Sequence, residues 1–199
     1  MKPIPSNPLE FSFYKKIFFY LCVATITTFL CQYIASFKIT LYSAVPFLKY
    51  NAADVPLILL GFIFGPFFVA MNVLMISIVE ILQNGSSSII GVLMYYLSTI
   101  AMVLPSSMIY TKHKTTKSMV LGLAISCFVV TLTMVLWNLI FVPIYINTSF
   151  EEAKSLILPG IIPFNLTKTM FNSIITIILY PGVNLIAKKY RKLLVKFKL

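Results

Sequence analysis

Ile162-Pro163-Phe164-Asn165-Leu166-Thr167-Lys168-Thr169 opens the last long apolar run of the chain. A proline presets the first turn of a helix, and positions three apart share one helix face. Asn165 and Lys168 therefore project side by side toward whatever that helix packs against. The run itself, residues 161–186, is long enough to cross a bilayer. At the centre of such a span a lysine costs about 2.5–3.5 kcal/mol, less near an end, and intramembrane charges face a cavity, a partner or a ligand. Two readings of Lys168 stay open: it meets a ligand, or it snorkels to the headgroups from the helix start.

Outward from that helix the composition is equally one-sided. Of 199 residues, 59% are hydrophobic and 11% charged, against about a quarter charged in soluble domains, and the mean hydropathy is +0.95. This is the composition of an integral membrane protein. At about 20 apolar residues per crossing, the chain holds roughly six spans with short connections. It reads as one transmembrane unit over residues 1–199, with residues 1–13 as a flank and 188–199 as a basic cytoplasmic tail. No length remains for a soluble catalytic or nucleotide-binding domain. The net charge of +11 does not point to nucleic acid, because Lys188, Lys189, Arg191, Lys192, Lys196 and Lys198 crowd into that tail. Basic residues beside a span sit on anionic headgroups. Cys22, Cys31 and Cys127 lie in apolar runs without metal-ligand spacing and read as small packing residues.

Taken in order, residues 17–37 form the first span, too long for a signal h-region and without a clear small-residue cleavage site. Within it Ala24 and Thr28 stand four apart, a spacing that lets membrane helices approach closely, against another helix of this chain or another subunit. A loop over residues 38–54 follows, in which Asp54 suits an N-cap and Pro56 a first turn. Residues 55–64 form a short apolar helix ended by Gly65-Pro66, and residues 67–82 form the next. After the polar loop at 83–88 come a fourth span, 89–110, kinked by Pro105, and a fifth, 119–142, closed by Pro143. Pro181-Gly182 bends or ends the sixth.

Lysine and arginine counts orient these spans. The N-terminal flank, the connection at Lys112 to Lys117 and the C-terminal tail are basic, whereas loops 83–88 and 146–158 are neutral or acidic. Both termini therefore face the cytoplasm, with Lys38 and Lys49 on the outside running against the count. In that frame Asp54, Glu80, Tyr95, Asn138, Asn165 and Lys168 lie near one level, at the outer ends of their helices. Polar groups inside a membrane are costly without partners, so their clustering implies a shared network or a polar ligand held between helices. Each has a plainer reading: Asp54 as a cap, Glu80 as a solvated helix end, Asn138 as an interhelical hydrogen bond. Tyr95 and Tyr96 read either as interfacial belt residues or as a stacking surface for a planar ring. His113 lies among lysines in an inside loop and reads as solvated. The sequence shows no metal cluster, nucleophile triad, phosphate-binding loop or paired carboxylates, which argues against an enzyme.

Three segments carry a resemblance. They are Leu48-Lys49-Tyr50-Asn51-Ala52-Ala53-Asp54-Val55-Pro56 followed by Gly65-Pro66, the region from Trp137-Asn138 to Pro143, and Ile162 to Lys168. In order and spacing the chain resembles the substrate-binding S components of energy-coupling factor (ECF) vitamin transporters, within their riboflavin-specific branch. The resemblance implies an all-α, six-helix, multi-pass protein of the bacterial cell membrane, which binds its vitamin from outside and has no ATPase of its own. Its partners would be a transmembrane coupling subunit and two cytoplasmic ATPases. Asn138, Asn165 and Lys168 would hydrogen-bond riboflavin or a related flavin such as FMN, carried as a transported ligand with no resident cofactor. The loop holding Leu48, before Asp54, would cover the pocket; apart from the resemblance, Tyr95 and Glu80 are candidate ligand contacts by their level at the helix ends. Ala24 and Thr28 would meet the coupling subunit, although alanine is not kept at both ends. This chain departs from the branch at Ile76-Ser77, where a Lys-Asn pair is usual, and at Tyr95, where an Asn is usual. Other vitamins such as folate or pantothenate, or a structural membrane role without ligand, are the alternatives.

Overall fold

The computed structural model describes residues 8–84 and 89–196. The start of the N-terminal flank, most of the loop at 83–88 and the end of the basic tail lie outside the described residues. Helix α1 covers Pro8–Ser36 and leads into a two-stranded hairpin, β1 Ile39–Thr40 paired antiparallel with β2 Lys49–Tyr50. Then come α2 Asp54–Phe64, α3 Pro66–Asn84, α4 Ile89–His113, α5 Thr116–Ile146, a short α6 Phe150–Ser155, a π-helical turn Ile157–Ile161 and α7 Ile162–Lys196. Five of these segments are long and apolar enough to cross a membrane: Ile17–Ser36, Pro66–Gln83, Ile89–His113, Thr116–Ile146 and Ile157–Leu185.

The distribution of side chains is the reverse of a water-soluble protein. Phe18, Phe29, Phe128, Ile178 and Leu185 are among the many large apolar residues that face outward. Thr28, Asn72, Thr99, Ser126, Asn138, Asn165, Lys168 and Asn172 are buried. In lipid the outward apolar faces are already solvated, and the interior is where polar groups can find partners.

Helix α2, at 11 residues, is about 16 Å long by its 1.5 Å rise per residue, roughly half of a bilayer core. It survives there because its neighbours enclose it. Val55, Leu57, Ile58, Leu59 and Phe62 are buried, with Leu57 and Ile58 fully so, against α3, α4 and α7. Gly65 ends it at φ +92°, its N–H closing onto the Gly61 carbonyl at 3.0 Å, a conformation that disfavours any Cβ. Pro66 then starts α3 where its missing N–H costs nothing. At the C-terminal end of α2, Phe62 forms an aromatic plug with Tyr110 and Tyr180: Phe62 lies 4.5 Å from Tyr110 between ring centroids, and the two tyrosine hydroxyls hydrogen-bond at 2.8 Å.

Several boundaries differ from the sequence expectation. Pro143 does not close α5, which runs on to Ile146. The stop is Asn147, left-handed at φ +53°, whose N–H and that of Thr148 return to the Pro143 carbonyl. Pro105 and Pro181 also sit inside continuous helices. Beside Pro105, the Ser106 and Ser107 hydroxyls donate to the Met102 and Val103 carbonyls, so these buried hydroxyls are satisfied within their own helix. The loop at 146–158 contains α6, capped by Ser149 and Glu152 bonding reciprocally. The loop at 38–54 contains the hairpin, so the otherwise all-α architecture holds one small ladder.

Candidate functional site

The helix ends that the sequence brings to one level enclose a cavity of about 1020 Å³. Its walls come from the C-terminal end of α1, the hairpin loop, the C-terminal halves of α3 and α5, and the N-terminal halves of α4 and α7. Among the predicted residues, Leu48, Glu80, Tyr95, Asn138, Asn165 and Lys168 all line it. Phe47, Tyr95, Phe141, Tyr145 and Phe164 supply aromatic surface. Ile76, at one departure from the branch pattern, lines the cavity as apolar wall, whereas the hydroxyl of Ser77 turns back to the Val73 carbonyl at 3.0 Å.

Lys168 is 7% exposed, so it does not snorkel. Its Nζ lies 3.1 Å from Asp54 Oδ2 and donates to Ser98 Oγ at 3.3 Å. An ammonium has three donors, and two are thereby committed within the protein. The third remains for the cavity that Lys168 lines. Asp54 is the correction to the sequence reading. The cap position belongs to Ala53, without a side-chain cap bond, and Asp54 lies in the first helical turn, 2% exposed, behind the cavity wall. Its carboxylate accepts from Thr99 Oγ1 at 2.8 Å and Asn172 Nδ2 at 3.1 Å besides Lys168. A buried charge is tolerable when paired and fully hydrogen-bonded, and both conditions are met here.

Sequence reasoning missed Asn172, Thr99, Ser98 and Tyr50. A signal existed for the first: Asn165, Lys168 and Asn172 recur at three and four residues, a polar stripe along one helix face. The others come from elements distant in sequence and leave no such trace.

The two asparagines share a geometry. Asn138 Nδ2 donates to the Met134 carbonyl within α5 at 2.6 Å and Asn165 Nδ2 to the Ile161 carbonyl of the π-helical turn at 2.8 Å, each four residues back. That bond orients the carboxamide and turns its oxygen away from the backbone. Asn138 Oδ1 is buried and has no hydrogen-bond partner among the described residues, at a typical cost of about 1–3 kcal/mol. Two carboxamides and an ammonium on one stretch of cavity wall suit a ligand whose polar edge alternates N–H and carbonyl groups. The aromatic walls suit a flat ring.

The pair Ala24 and Thr28 is also corrected. Both are buried, at 8% and 3% exposure, with the Thr28 hydroxyl on the Ala24 carbonyl at 2.9 Å. Asn72 of α3 donates to that same carbonyl at 3.3 Å. The small residues thus seat α1 on α3, which removes them from any surface open to another subunit in this conformation.

Known proteins share this sequence and shape. The family model described as "ECF transporter, substrate-specific component" matches residues 22–180. A curated relative, the riboflavin transporter RibU of Staphylococcus aureus (strain TCH60), is 31% identical over 144 residues, covering 68% of this chain and 74% of its own. A solved structure of the S component of a bacterial ECF transporter superposes with a TM-score of 0.73 at 26% identity, over 85% of this chain and 97% of that one.

Proposed function

The chain belongs to the family of ECF-transporter substrate-specific components, and from that premise we propose that it captures riboflavin at the outer face of a bacterial cell membrane for ATP-driven import. The observation that carries the ligand is the lining of the cavity, where Asn138, Asn165 and Lys168 stand together among Phe47, Tyr95, Phe141, Tyr145 and Phe164. The pyrimidine edge of a flavin presents an N–H between two carbonyls. Asn138 Oδ1 accepts from that N–H once its carboxamide turns toward the ring, and the free N–H of Lys168 and the second N–H of the Asn165 amide donate to the flanking carbonyls. The aromatic residues hold the ring, and the loop carrying Leu48 closes over it. The identity to a riboflavin transporter supports the same reading.

In this proposal α2 acts as a sixth, partial crossing enclosed by its neighbours. Both termini lie in the cytoplasm by the lysine count, and the cavity opens outside. Energy comes from partners, a transmembrane coupling subunit and two cytoplasmic ATPases, so the chain performs no chemistry of its own. FMN is the second reading, because Lys38 and Lys49 also line the cavity and are exposed, placed to meet a phosphate.

The test is the visible spectrum of the protein purified in detergent, followed by titration against riboflavin and FMN fluorescence. Flavin bands or saturable quenching are expected, and a colourless preparation that quenches neither ligand would overturn the flavin reading. Asn138→Leu should weaken riboflavin binding by about tenfold, since an unmade hydrogen bond to a buried ligand group costs about 1–3 kcal/mol. Unchanged affinity would remove Asn138 from the site.

A further inference from the structure

We infer that Tyr50 and Asn172 are positioning residues that couple the seating of the hairpin to the placement of the Lys168 ammonium, an inference that rests on the ligand site proposed above. Neither residue lines the cavity, and both are buried. They form a chain of hydrogen bonds from the hairpin to the site. The Tyr50 hydroxyl, on strand β2, donates to Asn172 Oδ1 at 3.2 Å. Asn172 Nδ2 donates to Asp54 Oδ2 at 3.1 Å, the same oxygen that holds Lys168 Nζ.

The order of donors leaves little freedom. The Asn172 carboxamide is held at both ends, so turning it over breaks both bonds at once. The Tyr50 phenol is a donor near neutral pH as any tyrosine is, and burial, then the Asp54 carboxylate, push its pKa further up. The Tyr50 ring is fixed edge-on to Phe171 of α7, 5.8 Å between centroids. Two more contacts fasten the same loop to the same end of the molecule. Tyr42 and Thr167 share a hydroxyl hydrogen bond of 2.8 Å, and Val45, fully buried, sits against Gly160 of the π-helical turn.

When residues 38–53 lift, the Tyr50 hydroxyl leaves with them. Asn172 Oδ1 then loses its donor in a buried place, and the bond that shares Asp54 Oδ2 with Lys168 is no longer held in register. Closing the loop restores both. By linkage the effect runs in each direction: whatever fixes Lys168 also favours the seated hairpin.

The reporter is Val45→Cys in a protein whose Cys22, Cys31 and Cys127 are replaced by serine. It is labelled with a maleimide in detergent without ligand. Val45 is inaccessible in the seated state, so the rate follows the fraction of lifted molecules. The polar partners of Lys168 are Asp54 and Ser98, not hairpin residues, yet Lys168→Met should speed labelling at least threefold. Tyr50→Phe should do likewise, and the double variant should label no faster than the quicker single one. An unchanged rate in Lys168→Met, or multiplied rates in the double variant, overturns the coupling. Should Lys168→Met fail to fold, Lys168→Arg keeps the charge while moving its donors, and is held to the same two outcomes. Riboflavin enters as a separate arm: slower labelling of the reporter on its addition supports the ligand, and failure of that arm alone counts against the flavin and not against the coupling.

Discussion

Asp54→Ala should destabilise the protein by about 3–5 kcal/mol, the usual consequence of leaving one member of a buried ion pair uncompensated. Lys168 would remain 7% exposed with no carboxylate beside it, and Thr99 and Asn172 would each lose their acceptor. Thermal unfolding in detergent reads the effect as a lowered Tm and a poorer yield of monodisperse protein. The combination Asp54→Leu with Lys168→Met removes both charges and should recover most of the stability, because a buried pair replaced by apolar residues is often neutral. It should not recover riboflavin binding. A wild-type Tm in Asp54→Ala would show that the pair contributes nothing to the fold.

Gly160→Ala should reduce riboflavin affinity by roughly 5- to 100-fold with little change in Tm. A Cβ at Gly160 collides with Val45, which is fully buried, and overpacking of this kind costs about 1–3 kcal/mol. Gly160 sits in the π-helical turn and Val45 in the loop between the two hairpin strands, so the expected relief of the collision is a lifted loop. The second variant, Val45→Ala added to Gly160→Ala, returns the space and should restore affinity. If Gly160→Ala binds riboflavin as tightly as the parent, seating of the loop is not what holds the ligand.

The membrane character and the level of the site were legible because a polar residue inside an apolar run is conspicuous. Asn138, Asn165 and Lys168 stand out in this way, and all line the cavity. Asp54 was located but misassigned, since an aspartate before Val55-Pro56 satisfies the pattern of a helix cap whether or not it points inward. Its actual partners are Thr99, Lys168 and Asn172, pairings across the chain that no local pattern encodes. Pro143 was overread because a proline removes one N–H and crowds the turn before it without always ending a helix. The left-handed Asn147 ends this one. Ala24 and Thr28 show the same ambiguity from the other side: small residues four apart announce close approach and do not say to which helix. The neighbour is α3.

The aromatic plug at the C-terminal end of α2 has an electrical consequence. Phe62, Tyr110 and Tyr180 pack together on the side away from the cavity, and the void beside them measures about 10 Å³, at the lower limit for one water. Where these rings pack there is room for about one water at most, so a proton or a hydrated sodium ion meets a desolvated barrier at that point.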